Sequence, residues 1–172
     1  MTPLVPHPST PESAFGVAAG VERVAGDGLR FTYRLVGSIG GVRVPLSAPS
    51  ARRDGLWEHT CFEAFVQADG EASYVELNFA PSTEWAVYGF ARYREAAPAP
   101  AIVPAIAVDR GAESLDVTAT VALGRGGALR VGLTAVVESA DGRLTYWALA
   151  HPSPAPDFHR AGGFVARVGE GA

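Results

Sequence analysis

Alternation of apolar and polar residues with a period of two is the feature that most constrains how this chain folds. Residues 29–35, 115–123 and 129–137 each place an apolar or small side chain at every second position. Successive side chains of a strand point to opposite faces, so this pattern predicts strands with one buried face. Gly-rich turn signals separate the segments, as at Asp141-Gly142, and we expect a hairpin around 124–128. About seven or more short strands without a convincing long helix predict an all-β antiparallel sandwich.

Composition limits the size of the fold and the kinds of partner. The chain has 172 residues, which suits one domain. It carries 14 basic and 18 acidic residues, a net charge of −4, with no cationic stripe, so we expect no nucleic-acid partner. All 14 basic residues are Arg, which excludes mechanisms that need an internal Lys. The single Cys excludes a disulfide framework and a Cys-rich zinc site.

The ends of the chain and its apolar stretches predict where the domain lies. Residues 1–14 hold four prolines and predict a loose arm, 15–168 form the strand-bearing domain, and 169–172 form a loose tail. The Ala/Pro-rich stretch 96–104 predicts an extended connection. No apolar stretch reaches the roughly 18 residues that span a bilayer, and the first residues lack the pattern of a secretory signal. We therefore expect no membrane association and a cytoplasmic location.

One hairpin can be given a register from the sequence. Segments 57–68 and 73–80 flank Asp69-Gly70, a favoured two-residue turn. Centring the turn there pairs apolar residues on one face and places Glu63 directly opposite Glu76 on the other. A slip of one residue would mix polar and apolar side chains on both faces, so the pattern itself selects this register.

The polar face of this hairpin carries the most informative group of side chains. Trp57, His59 and Asn78 share it with Glu63 and Glu76. Two opposed carboxylates repel each other, and they need a cation, a shared proton or an Arg between them. A sugar-binding surface uses the same parts, because an aromatic ring contacts the apolar face of a sugar while carboxylates and amides contact its hydroxyls. An exposed ladder neutralised by a nearby Arg is the structural alternative.

A second aromatic cluster follows the hairpin. Strand parity places Trp85 and Tyr93 on one face and Tyr88 and Phe90 on the other. One set is expected in the core, while the other extends a binding surface. Trp85 and Tyr88 are the candidates that we take from these sets.

Histidines flank a Pro-rich segment near the end of the chain. His151 and His159 are candidate ligand-binding residues, and together with Asp157 and His59 they suggest a metal site if three or four ligands converge. The alternative is that Asp157 or His159 ties the segment to the sandwich through hydrogen bonds. Cys61 lies in the middle of a predicted strand, which disfavours a nucleophilic role.

Several stretches carry a family resemblance, including the Trp-Glu-His-Thr-Cys-Phe-Glu motif at 57–63. The stretches are 52–65, 74–81, 84–90, 147–152 and 156–159. They resemble bacterial DOMON-like proteins, which are similar to family 9 carbohydrate-binding modules, and the resemblance covers about residues 15–168. It implies an antiparallel β-sandwich, immunoglobulin-like or jelly-roll in outline, with a sheet face or rim that binds a sugar, or haem in the DOMON branch. Tryptophans grip the sugar in such modules, and Trp57 and Trp85 are carried over as candidates for that role.

Haem can be weighed against the residues present. The haem-binding DOMON domains resemble Met/His-ligated cytochromes, and the only Met of this chain is Met1. A His/His pair from His59, His151 and His159 is the remaining alternative. We expect no bound cofactor, with haem or a metal ion as the alternatives.

The sequence thus predicts a non-catalytic module that binds a carbohydrate or a similar small polar ligand. The alternatives are a structural or protein-interaction domain, and a hydrolase that uses Glu63 and Glu76 with or without a metal. The candidate ligand-binding residues are Trp57, His59, Glu63, Glu76, Asn78, Trp85, Tyr88, His151 and His159.

Overall fold

Two stacked antiparallel β-sheets form the fold in the computed structural model, which describes residues 1–10, 13–124 and 126–169. Short 3₁₀ helices at Ile39–Gly41, Leu56–Glu58 and Ala161–Gly163 interrupt the strands. The strands are β1 (Thr2–Pro3), β2 (Val5–Pro6), β3 (Phe15–Val24), β4 (Gly28–Gly37), β5 (Cys61–Ala68), β6 (Tyr74–Phe79), β7 (Trp85–Arg92), β8 (Glu95–Ala97), β9 (Ala105–Arg110), β10 (Ser114–Ala122), β11 (Leu129–Glu138), β12 (Leu144–Ala148) and β13 (Ala166–Val168).

The smaller sheet has the order β1-β3-β4-β10-β9, and the larger has the order β2-β12-β11-β5-β6-β7-β8, with β13 also paired to β11. The pairings between these strands are antiparallel. This architecture confirms the predicted all-β antiparallel sandwich. No helix in the described ranges is long and apolar enough to cross a membrane.

The core lies between the two sheets. Tyr33 of β4 packs on Phe62 of β5 with ring centroids 5.0 Å apart, and Phe31 packs on Phe79 of β6 at 5.6 Å. The Tyr33 hydroxyl donates to the main-chain carbonyl of Glu63 at 2.7 Å, so the buried phenol is satisfied. Because alternate side chains of β5 and β6 fill this core, the side chains between them point to the outer face of the larger sheet.

The predicted hairpin around residues 124–128 is wrong. β10 belongs to the smaller sheet and β11 to the larger, so the connection crosses from one sheet to the other. Both strands have the expected alternation because each buries one face in the same core, from opposite sides. Periodicity reveals that a face is buried, but it does not reveal which strand is the neighbour.

The β5–β6 hairpin has the predicted faces but a different register. Glu63 pairs with Asn78, and Phe65 pairs with Glu76, so the expected direct pairing of Glu63 with Glu76 is wrong. The connection is longer than the predicted two-residue turn, and the Glu71 N–H donates to the Ala68 carbonyl at 3.1 Å. The shift is by two residues, which preserves side-chain parity and leaves the two carboxylates diagonal to each other on one face.

The first residues contact both sheets. β1 pairs with β3 in the smaller sheet and β2 pairs with β12 in the larger one, while Leu4 between them is buried. The stretch expected as a loose arm therefore links the two layers over residues 2–6. Of the predicted tail, residues 170–172 lie outside the described residues.

Candidate functional site

A pocket of about 520 Å³ opens on the outer face of the larger sheet. Strands β5, β6, β7, β11 and β12 supply its floor, and residues 57–58, 94 and 156–159 supply its rim. The lining residues are aromatic, acidic and basic side chains with a few aliphatic ones: Trp57, Glu58, Glu63, Phe65, Glu76, Tyr88, Phe90, Arg94, Val136, Leu144, Tyr146, Pro156, Phe158 and His159.

Two buried carboxylates lie at the floor. Glu63 is 3% exposed; its Oε2 accepts from the Thr134 hydroxyl at 3.3 Å, and its Oε1 has no hydrogen-bond partner. Burial, together with the charge of Glu76, raises the pKa of Glu63 well above its usual range. Burial also raises the pKa of Glu76, although a hydrogen bond from Asn78 and the charge of Arg94 oppose that rise. The pair therefore holds a proton at pH values where solvated glutamates are ionised.

Asn78 lies beneath the floor and orients Glu76. Its Nδ2 donates to Glu76 Oε1 at 2.8 Å, and its Oδ1 lies 3.8 Å from the Cys61 sulfur. Burial raises the pKa of the Cys61 thiol well above its usual value, so the thiol stays neutral and donates. Asn78 is fully buried, and it holds one oxygen of Glu76 while the other faces His159.

His159 covers one side of the acid pair. Its ring lies between Phe65 and Phe90, with centroids 5.2 and 5.0 Å away. Burial and the nearby charge of Arg94 lower the pKa of His159 to about 4, so the imidazole is neutral at neutral pH.

Hydrogen bonding assigns the proton of that imidazole. The Tyr74 hydroxyl lies 2.9 Å from His159 Nδ1 and accepts the Arg94 main-chain N–H at 3.1 Å. A phenol oxygen can accept this N–H and still donate its own proton, and in that arrangement it donates to Nδ1. The imidazole proton then lies on Nε2, which is 3.6 Å from Glu76 Oε2.

Trp57 forms the exposed rim on the other side. It belongs to the 3₁₀ helix Leu56–Glu58, which follows Gly55 in a left-handed conformation (φ 78°) that glycine adopts without strain. The indole lies edge-on to Tyr88 with centroids 5.7 Å apart and is 42% exposed. The Tyr88 hydroxyl donates to Asp54 Oδ1 at 2.7 Å, which fixes this ring in turn. An accessible indole beside a fixed phenol gives an aromatic surface at the mouth.

The basic side chain of the rim is already paired. Arg94 Nη2 lies 3.1 Å from Asp157 Oδ1, and Asp157 also accepts hydrogen bonds from Tyr93 and Arg160. Burial raises the Asp157 pKa, but the hydrogen bonds from Tyr93 and Arg94 and the Arg94 charge outweigh it and lower the pKa overall. Asp157 thus ties its loop to the sandwich, as one of the two sequence interpretations predicted.

The structure brings together five of the nine candidate residues. Trp57, Glu63, Glu76, Tyr88 and His159 line the pocket, and Asn78 lies directly under it.

The other three candidates lie outside this pocket. His59 Nδ1 binds Glu138 at 2.8 Å in a neighbouring depression, because the chain leaves the strand before Cys61. Trp85 lies opposite Phe79, so its parity turns it toward the core. His151 donates to the Val5 carbonyl at 2.8 Å and contacts the N-terminal residues instead.

The histidines that were considered as metal ligands are separated from one another. His59, His151 and His159 each contact a different part of the molecule. In the part of the chain that the structure describes, no three His, Cys, Asp or Glu side chains converge as a metal would need.

Sequence reasoning missed several lining residues. Phe65 and Phe90 could have been found by parity, since Phe65 shares the Glu63 face and Phe90 that of Tyr88. Tyr146 of β12 lies opposite Val136 of β11, a pairing that the sequence analysis did not assign. Arg94 and Phe158 lie outside regular strands, where no periodicity marks them.

No protein-family profile matches the chain, and none of the curated proteins matches it significantly. Among solved structures, a family 9 carbohydrate-binding module from Caldicellulosiruptor kristjanssonii in complex with glucose superposes with a TM-score of 0.55 and 9% identity, over 96% of this chain and 83% of that one. The fold is that of the family 9 carbohydrate-binding modules.

Two further structures share this CBM9-like fold. The module from Caldicellulosiruptor kristjanssonii in complex with cellotriose gives a TM-score of 0.57 at 11% identity, over 92% of this chain and 76% of that one. A protein provisionally described as carbohydrate-binding, from Bacteroides uniformis, gives 0.69 at 15% identity, over 98% and 84% of the two chains. The expected CBM9-like sandwich is thereby confirmed.

Proposed function

We propose that the protein is a non-catalytic binding module for a carbohydrate, held in the pocket on the outer face of the larger sheet. The observation that carries the proposal is an accessible aromatic rim over buried hydrogen-bonding groups. Trp57 and Tyr88 offer ring faces and edges, while Glu63, Glu76 and His159 offer acceptors and a donor below them. A sugar ring has the matching distribution, with apolar C–H faces and a hydroxyl edge.

The dimensions support a small ligand rather than a polymer surface. A volume of about 520 Å³ falls within the 300–1,000 Å³ typical of small-molecule sites. The polar groups are also pre-arranged: Asn78 holds Glu76, and Thr134 contacts Glu63. Such pre-ordering lowers the entropy cost of fixing side chains when a ligand binds.

Binding explains the two carboxylates better than catalysis does. Glycoside hydrolysis by the common mechanisms needs a carboxyl group on each side of the scissile bond. Here Glu63 and Glu76 project from neighbouring strands of one sheet face, and both are nearly enclosed. They approach a bound sugar from the same side, which suits hydrogen bonding.

Two likenesses add support. The fold is shared with modules whose structures hold glucose and cellotriose. The sequence resemblance to bacterial DOMON-like proteins points to the same broad group of sandwiches, in which a sheet face or rim receives the ligand.

Calorimetric titration with a panel of mono- and disaccharides tests the proposal, with Trp fluorescence as a second signal. We expect saturable binding, and we expect Trp57→Ala and Glu76→Gln each to weaken it by about tenfold or more, the equivalent of roughly 1.4 kcal/mol. Glu22→Gln, an exposed glutamate on the opposite sheet, is the matched control and leaves affinity unchanged.

No heat and no fluorescence change across the panel would contradict a carbohydrate ligand. Turnover of an aryl glycoside that Glu63→Gln abolishes would contradict the non-catalytic role and support the hydrolase alternative instead.

A further inference from the structure

The charge balance of the pocket is incomplete. Glu58, Glu63 and Glu76 line it, whereas the basic lining side chain, Arg94, is paired with Asp157. Glu63 is more than nine-tenths buried at the floor, and its Oε1 has no hydrogen-bond partner. Glu63 therefore carries a buried acceptor that no side chain in the described part of the protein satisfies, although that oxygen is itself closed to solvent.

A proton or a cation can satisfy such a pair of acids. Two carboxyl groups in a low-dielectric site do not ionise together unless positive charge compensates them. A proton suffices in the absence of a ligand, but it leaves one of the strongest acceptors in the site unused. A bound ammonium group would replace it, since it donates up to three hydrogen bonds and lets both acids ionise.

We propose that the ligand is an amine-bearing sugar whose ammonium group lies between Glu63 and Glu76. The inference rests on the proposed carbohydrate function and specifies the class of sugar. The ammonium group donates to Glu63 Oε1, which has no other partner, and to the Glu76 oxygen that faces His159. The aromatic rim contacts the sugar ring.

The surroundings favour a cation at this position. The neutral imidazole of His159 does not repel it, and Arg94, whose charge reaches Glu76 and His159, is itself paired with Asp157. Aromatic rings of Tyr88 and Phe90 line the pocket, and the face of an aromatic ring attracts a cation. With an aliphatic or purely neutral ligand, a proton would have to compensate the acid pair.

Titratable groups that face Glu63 come from several elements. Glu76 faces it from β6, the Cys61 thiol precedes it on β5, and the Tyr33 hydroxyl contacts its main chain from the core side. Cys61 and Tyr33 are neutral at physiological pH because burial raises the pKa of each. The acid pair is thus the group that gives up a proton when an ammonium ion enters.

The test compares 2-amino sugars with their neutral parents: glucosamine with glucose, galactosamine with galactose, and the N-acetyl forms of each. We expect one amino sugar to bind at least tenfold more tightly than its parent, and we expect acetylation to remove the gain. Titration at pH 7 in two buffers of different ionisation enthalpy measures the protons released. Release of a proton on binding the amino sugar, but not its parent, is expected.

Variants separate this inference from the proposed function. Glu63→Gln removes the charge, so it should abolish the preference for the amine. It keeps the shape of the site, so binding of the neutral sugar should persist. Glu22→Gln should change neither. Equal affinity for amino and neutral sugars overturns the inference and leaves the proposed function intact. Failure of every sugar to bind overturns the proposed function.

Discussion

Phe164 anchors the histidine loop (residues 152–164), which forms one wall of the pocket, although Phe164 does not itself line it. Its ring is fully buried, stacks on Phe65 at 5.7 Å and meets Tyr74 edge-on at 5.5 Å. It also lies directly over the main chain of β11, because a Cβ added at Gly132 would come within 2.7 Å of the ring. This close fit holds that end of the loop against the sheet, together with the hydrogen bond from Arg130 to the Ala161 carbonyl and the pairing of β13 with β11.

Replacing Phe164 with Ala should therefore have two effects. Large-to-small substitutions of buried Phe cost about 3–5 kcal/mol, so the free energy of unfolding should fall by that amount. The loop should also open locally without global unfolding, which displaces His159 and weakens ligand binding by more than tenfold. Phe164→Leu, which fills much of the space, should lose less than half as much stability and retain binding.

The matched control is Phe31→Ala. Phe31 is equally buried, but it packs on Phe79 between the sheets, in a different hydrophobic cluster from Phe164. Urea unfolding followed by circular dichroism gives the stability of both variants, and amide hydrogen exchange reports on the loop. If Phe31→Ala and Phe164→Ala weaken binding equally at matched stability, or if loop amides stay protected in Phe164→Ala, the anchoring argument is wrong.

Three further predictions follow from buried titratable groups. Because burial raises the pKa of Glu63, its stabilising contribution is present at acidic pH and is lost as pH rises through the folded-state pKa. The Tm of Glu63→Gln relative to wild type should therefore rise between pH 5 and pH 8 in scanning calorimetry. A constant difference in Tm would refute this. Burial and the Arg94 charge lower the pKa of His159 to about 4, so the wild-type protein loses stability as pH falls from about 6.5 toward 4. His159→Gln should lack that loss in the same calorimetric scans. Cys61, the single thiol, should react with a disulfide reagent only as fast as the protein unfolds, and rapid labelling of the native state would show that it is accessible.

The sequence predicts faces far better than it predicts neighbours. Strand parity correctly places Glu63, Glu76 and Asn78 on one side of the β5–β6 hairpin, because a core on one face requires that alternation. Parity does not predict the register of that hairpin, because a longer connection replaces the two-residue turn. It also does not predict the 124–128 connection, because β10 and β11 face one core from opposite sheets. Parity is a local property, whereas pairing depends on the whole chain.

Candidate residues on strands are predictable from parity, and those outside strands are not. Glu63, Glu76 and Tyr88 lie on strands, and their positions follow from alternation. His59 and His151 lie where the chain leaves a strand, and their directions depend on contacts with Glu138 and with Val5 that no local pattern encodes. His159 lies on a loop, and its place in the pocket depends on Phe164 and Tyr74.

The location of the acid pair is itself an argument for a ligand. The sandwich is stabilised by the apolar faces between its sheets, and the outer-face position of Glu63 contributes nothing to that core. Burial of a carboxyl group with one unpaired oxygen costs stability, and an apolar side chain of similar volume removes that cost. Glu63→Met should therefore raise the Tm at pH 8, where the cost of the acid is greatest, and should abolish binding of amino sugars. Calorimetry and titration on the same preparation measure both effects. A Tm lower than that of wild type would show that Glu63 stabilises the fold, which would remove this reason for assigning it to a ligand.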